Sequence, residues 1–360
     1  MIKKIGILTS GGDCAGLNAV LRAATTRAIE GYGWQIYGIR YGTMGLLSRP
    51  VDAVELTIPM LEGHTLRMGG TILGTTNKGN PMSFPMPDGS VRDRSAEFAE
   101  GCRLLGLDAL IGIGGDGSLA ILRELCLRAD IPMVAIPKTI DNDLDKTESA
   151  IGFETAVEVA TEALDRLQPT AASHNRVMVL EVMGRDAGHI ALSAGIAGGA
   201  DVILVPEIPY SMESIARKIK SLFSRGHTFA LVIVAEAVRD GANQSMEIAD
   251  PSGRKRYGGI SHYLADSITE ITGAETRFMA LGHTQRGAEP CAFDRILAAS
   301  FGVRAVDFIA KGKFDHMVAW QNREVVAIPI LEAIAKPRLV DPNDTLVKTA
   351  RGLGICLGDD

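Results

Sequence analysis

Several absences narrow the field before any motif is considered. Only five of the 360 residues are cysteines, Cys14, Cys102, Cys126, Cys291 and Cys356, scattered, odd in number and never spaced as CxxC. That disfavours a disulfide framework and a structural zinc site, and it points to reduced thiols in a cytoplasmic setting. Long apolar runs are missing too. The opening "MIKKIGILTSGGD" puts about five apolar positions behind its lysines, too few for a signal-peptide core or a membrane span, so Ile5–Thr9 is read as a buried strand. Positive charge is not in excess: a formal net charge of -6 offers no overall attraction to nucleic acid or an anionic membrane. An anionic ligand must therefore be held by a few placed cations. No solenoid repeat, low-complexity tract or heptad run occurs, and no GxxxxGK[ST], which excludes a Walker-type nucleotide site.

Hydrophobic residues at 46% and charged residues at 22% are those of a folded globular chain, and the length exceeds what one core serves, so two domains are expected. The runs "IGILTS", "WQIYGI", "ALIGIGG", "PMVAIP", "RVMVLEVMG", "DVILVP", "FALVIVAEA" and "TRFMALG" alternate with helical patterns. Such alternation predicts an α/β protein with mainly parallel sheets covered by helices. Leu17, Val20, Leu21, Ala24 and Ala28 form the core-facing stripe of one helix; another is predicted from Phe153 to Leu167, ending before Pro169, with a domain boundary near Ile151. Gly241–Tyr257 reads as a polar surface excursion.

Three of the glycine clusters, "TSGGDCAG", "GGTILGTTNKG" and "GIGGDGS", follow or lie near predicted strands. Glycine lets backbone N–H groups approach a phosphate, though α/β turns also use it for geometry alone. "GIGGDG" fits the GxGxxG of dinucleotide sites, but the acidic residue wanted about 20 residues later is preceded here by Lys138. A nicotinamide cofactor is therefore disfavoured. Asp116, between glycines, suits a magnesium ligand beside phosphates; the plainer alternative is a solvated turn carboxylate.

The stretch "IPKTIDNDLD" crowds Asp141, Asp143 and Asp145 behind Lys138 and Thr139. A solvated turn is the ordinary fate of such a cluster. Its place at the carboxyl end of a buried strand argues instead for a ligand crevice, and a cation, a hydroxyl and carboxylates together suit phosphoryl transfer. Arg176, Arg185, Arg277 and Arg286 lie at strand edges, where arginine suits bidentate contact with phosphate. His283 follows a glycine and stands near Gln285 and Arg286.

Taken together, "IKKIGILTSGGDCAGLNAV", "GGTILGTTNKG", "IGIGGDGS", "PKTIDND", "IGFETA", "SHNRVMVLEVMGRDAGHIAL", "GIAGGAD", "VPEIP", "LGHTQRGAEP" and "DRILA" resemble the 6-phosphofructokinase family in order, from the first strand to about Ala298. The resemblance implies two three-layer α/β domains with the active site in a cleft between them. The donor domain would be 1–151 plus about 290–338, and the fructose 6-phosphate domain 152–289 plus about 339–360. It implies phosphorylation of fructose 6-phosphate by Mg-ATP, with Asp141 as base, Thr139 beside the accepting hydroxyl, Asp143 near the metal and Asp145 solvated. Asp116 would serve Mg²⁺, while Gly12, Asn77, Lys78, Gly115, Gly117 and Ser118 would line the donor. Arg185 would stabilise the moving phosphoryl group, with Ile140, Met183, Gly184 and Glu236 at the sugar. Arg176 and Arg277, drawn from a neighbouring subunit, would join His283, Thr284, Gln285 and Arg286 on the 6-phosphate, so at least a dimer is implied.

Two positions speak to the donor. Gly117 leaves room for the α-phosphate of ATP, whereas Lys138 is typical of pyrophosphate users; the steric clue is weighted more heavily, with pyrophosphate kept as the alternative. Asn77–Lys78 stands where many bacterial ATP enzymes have arginine. Arg22 matches the allosteric effector site of that family, and Arg225 is a further candidate, but Thr26, Gln168 and His227 stand where cations are expected. A NAD or lipid kinase also uses GGDG yet leaves "PKTIDND" unexplained, and a silent nucleotide-binding subunit conflicts with an intact Asp116, Asp141 and Arg185. No role is assigned to "KPRLVDPNDTLVKTARGLGICLGDD".

Overall fold

The computed structural model describes residues 2–242, 244–245, 247–248 and 256–359; of the polar excursion, residues 243, 246 and 249–255 lie outside the described residues. The strands in chain order are β1 Lys4–Thr9, β2 Gln35–Ile39, β3 Ala53–Glu55, β4 Phe84–Pro85, β5 Val91–Arg92, β6 Ala109–Gly114, β7 Met133–Pro137, β8 Val177–Val182, β9 Val202–Leu204, β10 Ala230–Ala235, β11 Glu247–Ile248, β12 Arg256–Tyr257, β13 Thr276–Ala280, β14 His316–Gln321 and β15 Glu324–Pro329. The chain divides into two compact units.

The first unit comprises Met1–Ile140, Leu144–Thr155 and Arg286–Pro337. Its sheet has the order β15-β14-β7-β6-β1-β2-β3, parallel except for the outer pairs β14/β15 and β2/β3. Every residue of β6 and β7 is buried, which is why these strands read as unbroken apolar runs rather than as alternations. Helix Leu17–Tyr32 buries the whole stripe Leu17, Val20, Leu21, Ala24 and Ala28, and packs against helix Ala292–Ala310. The second unit, Asp141–Asp143, Ala156–Gln285 and Arg338–Asp360, holds a parallel sheet of order β13-β8-β10-β9. The chain's last segment extends it: Cys356 pairs beside Val202, exchanging backbone hydrogen bonds with Asp201 and Ile203.

All eight apolar runs contain strands, whereas β3, β4, β5, β11, β12, β14 and β15 lie outside them. One helix boundary needs correcting. The helix from Phe153 does not stop before Pro169 but runs to His174, with the proline inside it. Residues 168–170 face solvent, so water can satisfy the carbonyl that a proline leaves without an N–H, while Ala171, fully buried, holds the next turn against the core.

The start of that helix depends on a buried carboxylate. Asp294, with no exposure, accepts the N–H groups of Gly152 and Thr155 at 2.9 and 2.8 Å and the Thr155 hydroxyl at 2.5 Å. Burial pushes its pKa up, against these hydrogen bonds. Asp294→Ala orphans three donors, each costing roughly 1–3 kcal/mol when buried, so a loss of about 3 kcal/mol in unfolding free energy is expected in urea titration.

Candidate functional site

In the first unit the candidate residues gather where β1, β6 and β7 end, three neighbouring parallel strands whose carboxyl ends are the usual ligand edge of such sheets. The turn after β1 is laced to its neighbours: Ser10 N–H donates to Ile113 O at 2.9 Å, Gly11 N–H to Thr76 O at 3.0 Å, and the Thr75 hydroxyl to Gly11 O at 2.7 Å. Gly11 has φ +85°, and a Cβ there would stand 2.8 Å from Ser118 Oγ and 3.4 Å from Lys138 Nζ. Only glycine lets the turn approach those groups in that conformation. Lys138 is 4% exposed and its ammonium donates to Gly12 O, so this lysine is built into the floor of the glycine turn. Arg286 stands in this unit too, donating to Asp13 O at 2.9 Å beside Gly12.

Helix Asp116–Arg128 starts at Gly115, whose backbone is extended, and puts half-buried Asp116 in its first turn, where the helix dipole favours a carboxylate. Gly117 is exposed, and a Cβ there would meet nothing within 4 Å. The fold itself does not require glycine at that position, although glycine in a helix costs about 1 kcal/mol relative to alanine. Asn77 and Lys78 are exposed. Cys14, in the first turn, is fully buried and its thiol is pushed up to about 12, chiefly by burial, which makes it inert.

The acidic loop leaves β7 inward rather than into solvent. Thr139, Ile140, Asp141, Asn142 and Asp143 are all buried. Asp145 also departs from expectation: its side chain is only 18% exposed and lies 3.6 Å from the Lys146 ammonium, so it is tucked under the loop rather than solvated.

In the second unit Met183, Gly184 and Arg185 follow β8, and Glu236 follows β10, its hydrogen-bonded neighbour. Arg185 adopts φ +53°, a left-handed conformation that costs a non-glycine residue roughly 1–2 kcal/mol. Its N–H is held by Glu236 Oε1 at 3.0 Å, and its exposed guanidinium lies 4.0 Å from Asp143. Burial is the main cause that lifts the Glu236 pKa to about 7. Asp141's charge adds to it, against hydrogen bonds from the Arg185 and Gly184 amides.

The remaining residues divide between the two ends of this sheet. His283 and Thr284 are exposed beyond the carboxyl end of β13, with the Thr284 hydroxyl on Leu281 O; Gln285 is fully buried, its amide donating to Gly282 O at 3.1 Å. Arg176 precedes β8, and Arg277 pairs in register with Met178 near the start of that strand; Glu275 binds both guanidinium groups, at 2.8 and 2.5 Å. Arg176 and Met183 thus flank one strand at opposite ends, roughly 20 Å apart.

Two supporting residues were not singled out from sequence. Asn18, fully buried, donates to the carbonyls of Met68, Gly69 and Gly70 and accepts Ile72 N–H at 2.8 Å, and Thr75 holds Gly11. A lone asparagine on an otherwise apolar helix stripe is the signal that would have flagged the first.

A family model described as Phosphofructokinase matches residues 4–309. The chain is 60% identical over 359 residues to ATP-dependent 6-phosphofructokinase 1 of Synechocystis sp., covering 100% of this chain and 99% of that protein. It is 59% identical over 357 residues to the protein of the same name from Nostoc sp., covering 99% of each. Among solved structures, Pichia pastoris phosphofructokinase in the T-state is similar with a TM-score of 0.80 and 33% identity, over 93% of this chain but 36% of that one. The pyrophosphate-dependent phosphofructokinase of Nitrosospira multiformis matches with a TM-score of 0.82 at 20% identity, over 99% of this chain and 93% of that one, a likeness that speaks to fold alone. With its glycine turns, buried acidic loop and arginine turn in place, the chain belongs to the phosphofructokinase family.

Proposed function

We propose that this protein transfers the γ-phosphoryl group of Mg-ATP to the 1-hydroxyl of fructose 6-phosphate, giving fructose 1,6-bisphosphate and ADP. The observation that carries the reading is the buried Asp141–Asp143 loop with Arg185 4.0 Å from Asp143. Asp141 takes the proton of the 1-hydroxyl as its oxygen attacks the γ-phosphorus, and the bond to the β–γ bridging oxygen breaks, leaving ADP. Thr139 and Ile140 flank the hydroxyl, and Arg185 stabilises charge on the moving group. Met183, Gly184 and Glu236 hold the sugar, while the first unit's turns, with Gly12, Asn77, Lys78, Gly115 and Ser118, hold the donor. The described residues contain no group of three histidine, cysteine, aspartate or glutamate side chains able to hold a metal. Mg²⁺ keeps water and phosphate oxygens around it and needs few carboxylates; half-buried Asp116, in the first turn of its helix, would hold it. Bound there, it would neutralise charge on the donor phosphates.

Gly117 supports ATP, since a Cβ there would meet nothing within 4 Å and the position is left open beside the donor turn. Lys138 points the other way, and a coupled assay with each donor decides. Turnover with ATP and none with pyrophosphate is expected, and Gly117→Asp, which fills the space, should lower kcat/KM for ATP by about 100-fold or more; activity with pyrophosphate alone would overturn the donor assignment.

Among the described residues no helix is long and apolar enough to cross a membrane. A cytoplasmic location is proposed on the five free cysteines, which suit a reducing compartment. A fructose 6-phosphate molecule is far shorter than the β8 strand that separates Arg176 from Met183, so Arg176 and Arg277 serve the 6-phosphate of a second copy, with His283, Thr284 and Arg286 completing it; Gln285, fully buried on Gly282 O, braces that turn instead of reaching the phosphate. Arg176→Ala and Asp141→Ser are each expected to be nearly inactive. Mixing the two under conditions that exchange subunits should restore activity, since one site in the mixed dimer then has both intact; no recovery would defeat shared sites.

Glu236 keeps its proton up to about pH 7 and is a full carboxylate only above it. Sugar hydroxyls donate more strongly to the charged form. KM for fructose 6-phosphate is therefore expected to fall as pH rises through neutrality, and this dependence should vanish in Glu236→Gln.

A further inference from the structure

Two residues of the tail, which has no assigned role, touch both parts of the acceptor machinery. Arg338 N–H donates to Asp143 O at 2.7 Å, and its own carbonyl accepts from His189 Nε2 at 3.0 Å. Burial holds the His189 pKa down to about 4, so the ring is neutral and a carbonyl partner fixes the proton on Nε2. Two residues further on, Val340 N–H donates to Glu207 Oε1 at 2.8 Å. The same carboxylate accepts Gly188 N–H, at 3.0 and 3.2 Å from its two oxygens.

Gly188 and His189 open helix His189–Ala197 directly after the turn that carries Arg185. The approach there is close: a Cβ on Gly188 would lie 2.3 Å from Val205 Cβ and 2.9 Å from Glu207 Oε2. The backbone of Asp143 and the far end of the arginine turn are thus tied to the same tripeptide, on either side of the Arg185–Asp143 contact. Arg185's side chain is 57% exposed, and an ion pair that open to water fixes geometry weakly. Hydrogen bonds from a shared backbone segment fix it well.

We infer that Arg338–Val340, with Glu207 and His189, forms a clasp that sets the spacing between Asp143 and Arg185, which makes Glu207 and His189 positioning residues for phosphoryl transfer. The inference rests on the function proposed above. It also gives the tail a task in the reaction beyond extending the β9 edge.

The test is steady-state kinetics of the full chain, with ATP and fructose 6-phosphate each varied, well below the melting temperature of each variant. Glu207→Ala is expected to lower kcat by about 10- to 100-fold with both KM values within about twofold, because misplacing reacting groups by about 1 Å can cost on the order of 100-fold without touching binding. Glu207→Gln keeps an acceptor oxygen and should recover most of the rate. Should Glu207→Ala fail to fold, His189→Phe removes the donor while keeping a ring, and His189→Gln restores a donor; the same split and the same rescue are expected. Unchanged kcat in a folded Glu207→Ala or His189→Phe, or kcat and both KM values moving together, would overturn the clasp. Wild-type protein that fails to turn over fructose 6-phosphate with ATP would instead defeat the functional reading.

Discussion

Keeping Asp141 and Asp143 out of water at the end of β7 is the constraint around which the second unit's site is arranged. Isolated buried carboxylates are costly, and the cost is tolerated only where cations and N–H groups compensate. The Arg185 guanidinium lies 4.0 Å from Asp143, and its backbone takes a left-handed turn whose N–H is held by Glu236 at the end of β10. The same packing that keeps Glu236 from ionising readily thus supports the residue that offsets the acidic loop. Charge, backbone strain and an elevated carboxyl pKa are three aspects of one arrangement.

The first unit solves a different problem with a different material. Its turns combine glycine with bracing from behind, the form that the proposed grip on a donor's phosphates would need. Thr75 and Asn18 do the bracing through backbone carbonyls, so the turns owe their shape to neighbours distant in sequence. Lys138 belongs to this bracing as much as to any ligand, since its ammonium already engages Gly12 O. Gly117, by contrast, is exposed, and a Cβ there would meet nothing within 4 Å.

Much of this was legible in the sequence, for physical reasons that differ by element. Strands buried on both faces announce themselves as apolar runs, which is why β1, β6, β7, β8 and β10 were plain, whereas β14 and β15 form an antiparallel edge pair with a weaker pattern. The chemistry-bearing motifs were legible because each needs particular residue types at a strand end. What escaped was long-range compensation. Nothing local tells that Asp294 caps a helix starting about 140 residues earlier, that Asn18 ties down residues 68–72, or that an exposed face lets a helix continue through Pro169. Asp145 was misjudged for the same reason: a charge count cannot show which member of a cluster turns inward.

The Asp143–Arg338 hydrogen bond joins residues on the order of 200 positions apart, and synthesis proceeds from the N-terminus at roughly 5–20 residues per second. The acidic loop therefore leaves the ribosome roughly ten seconds or more before its backbone partner exists. During that interval a near-complete chain with both sheets largely translated still lacks one of the bonds that shape its reactive loop. Order of manufacture thus makes this contact of the acidic loop a late one, and a chain released short of Arg338 would carry every recognised motif while lacking a hydrogen bond to one of them.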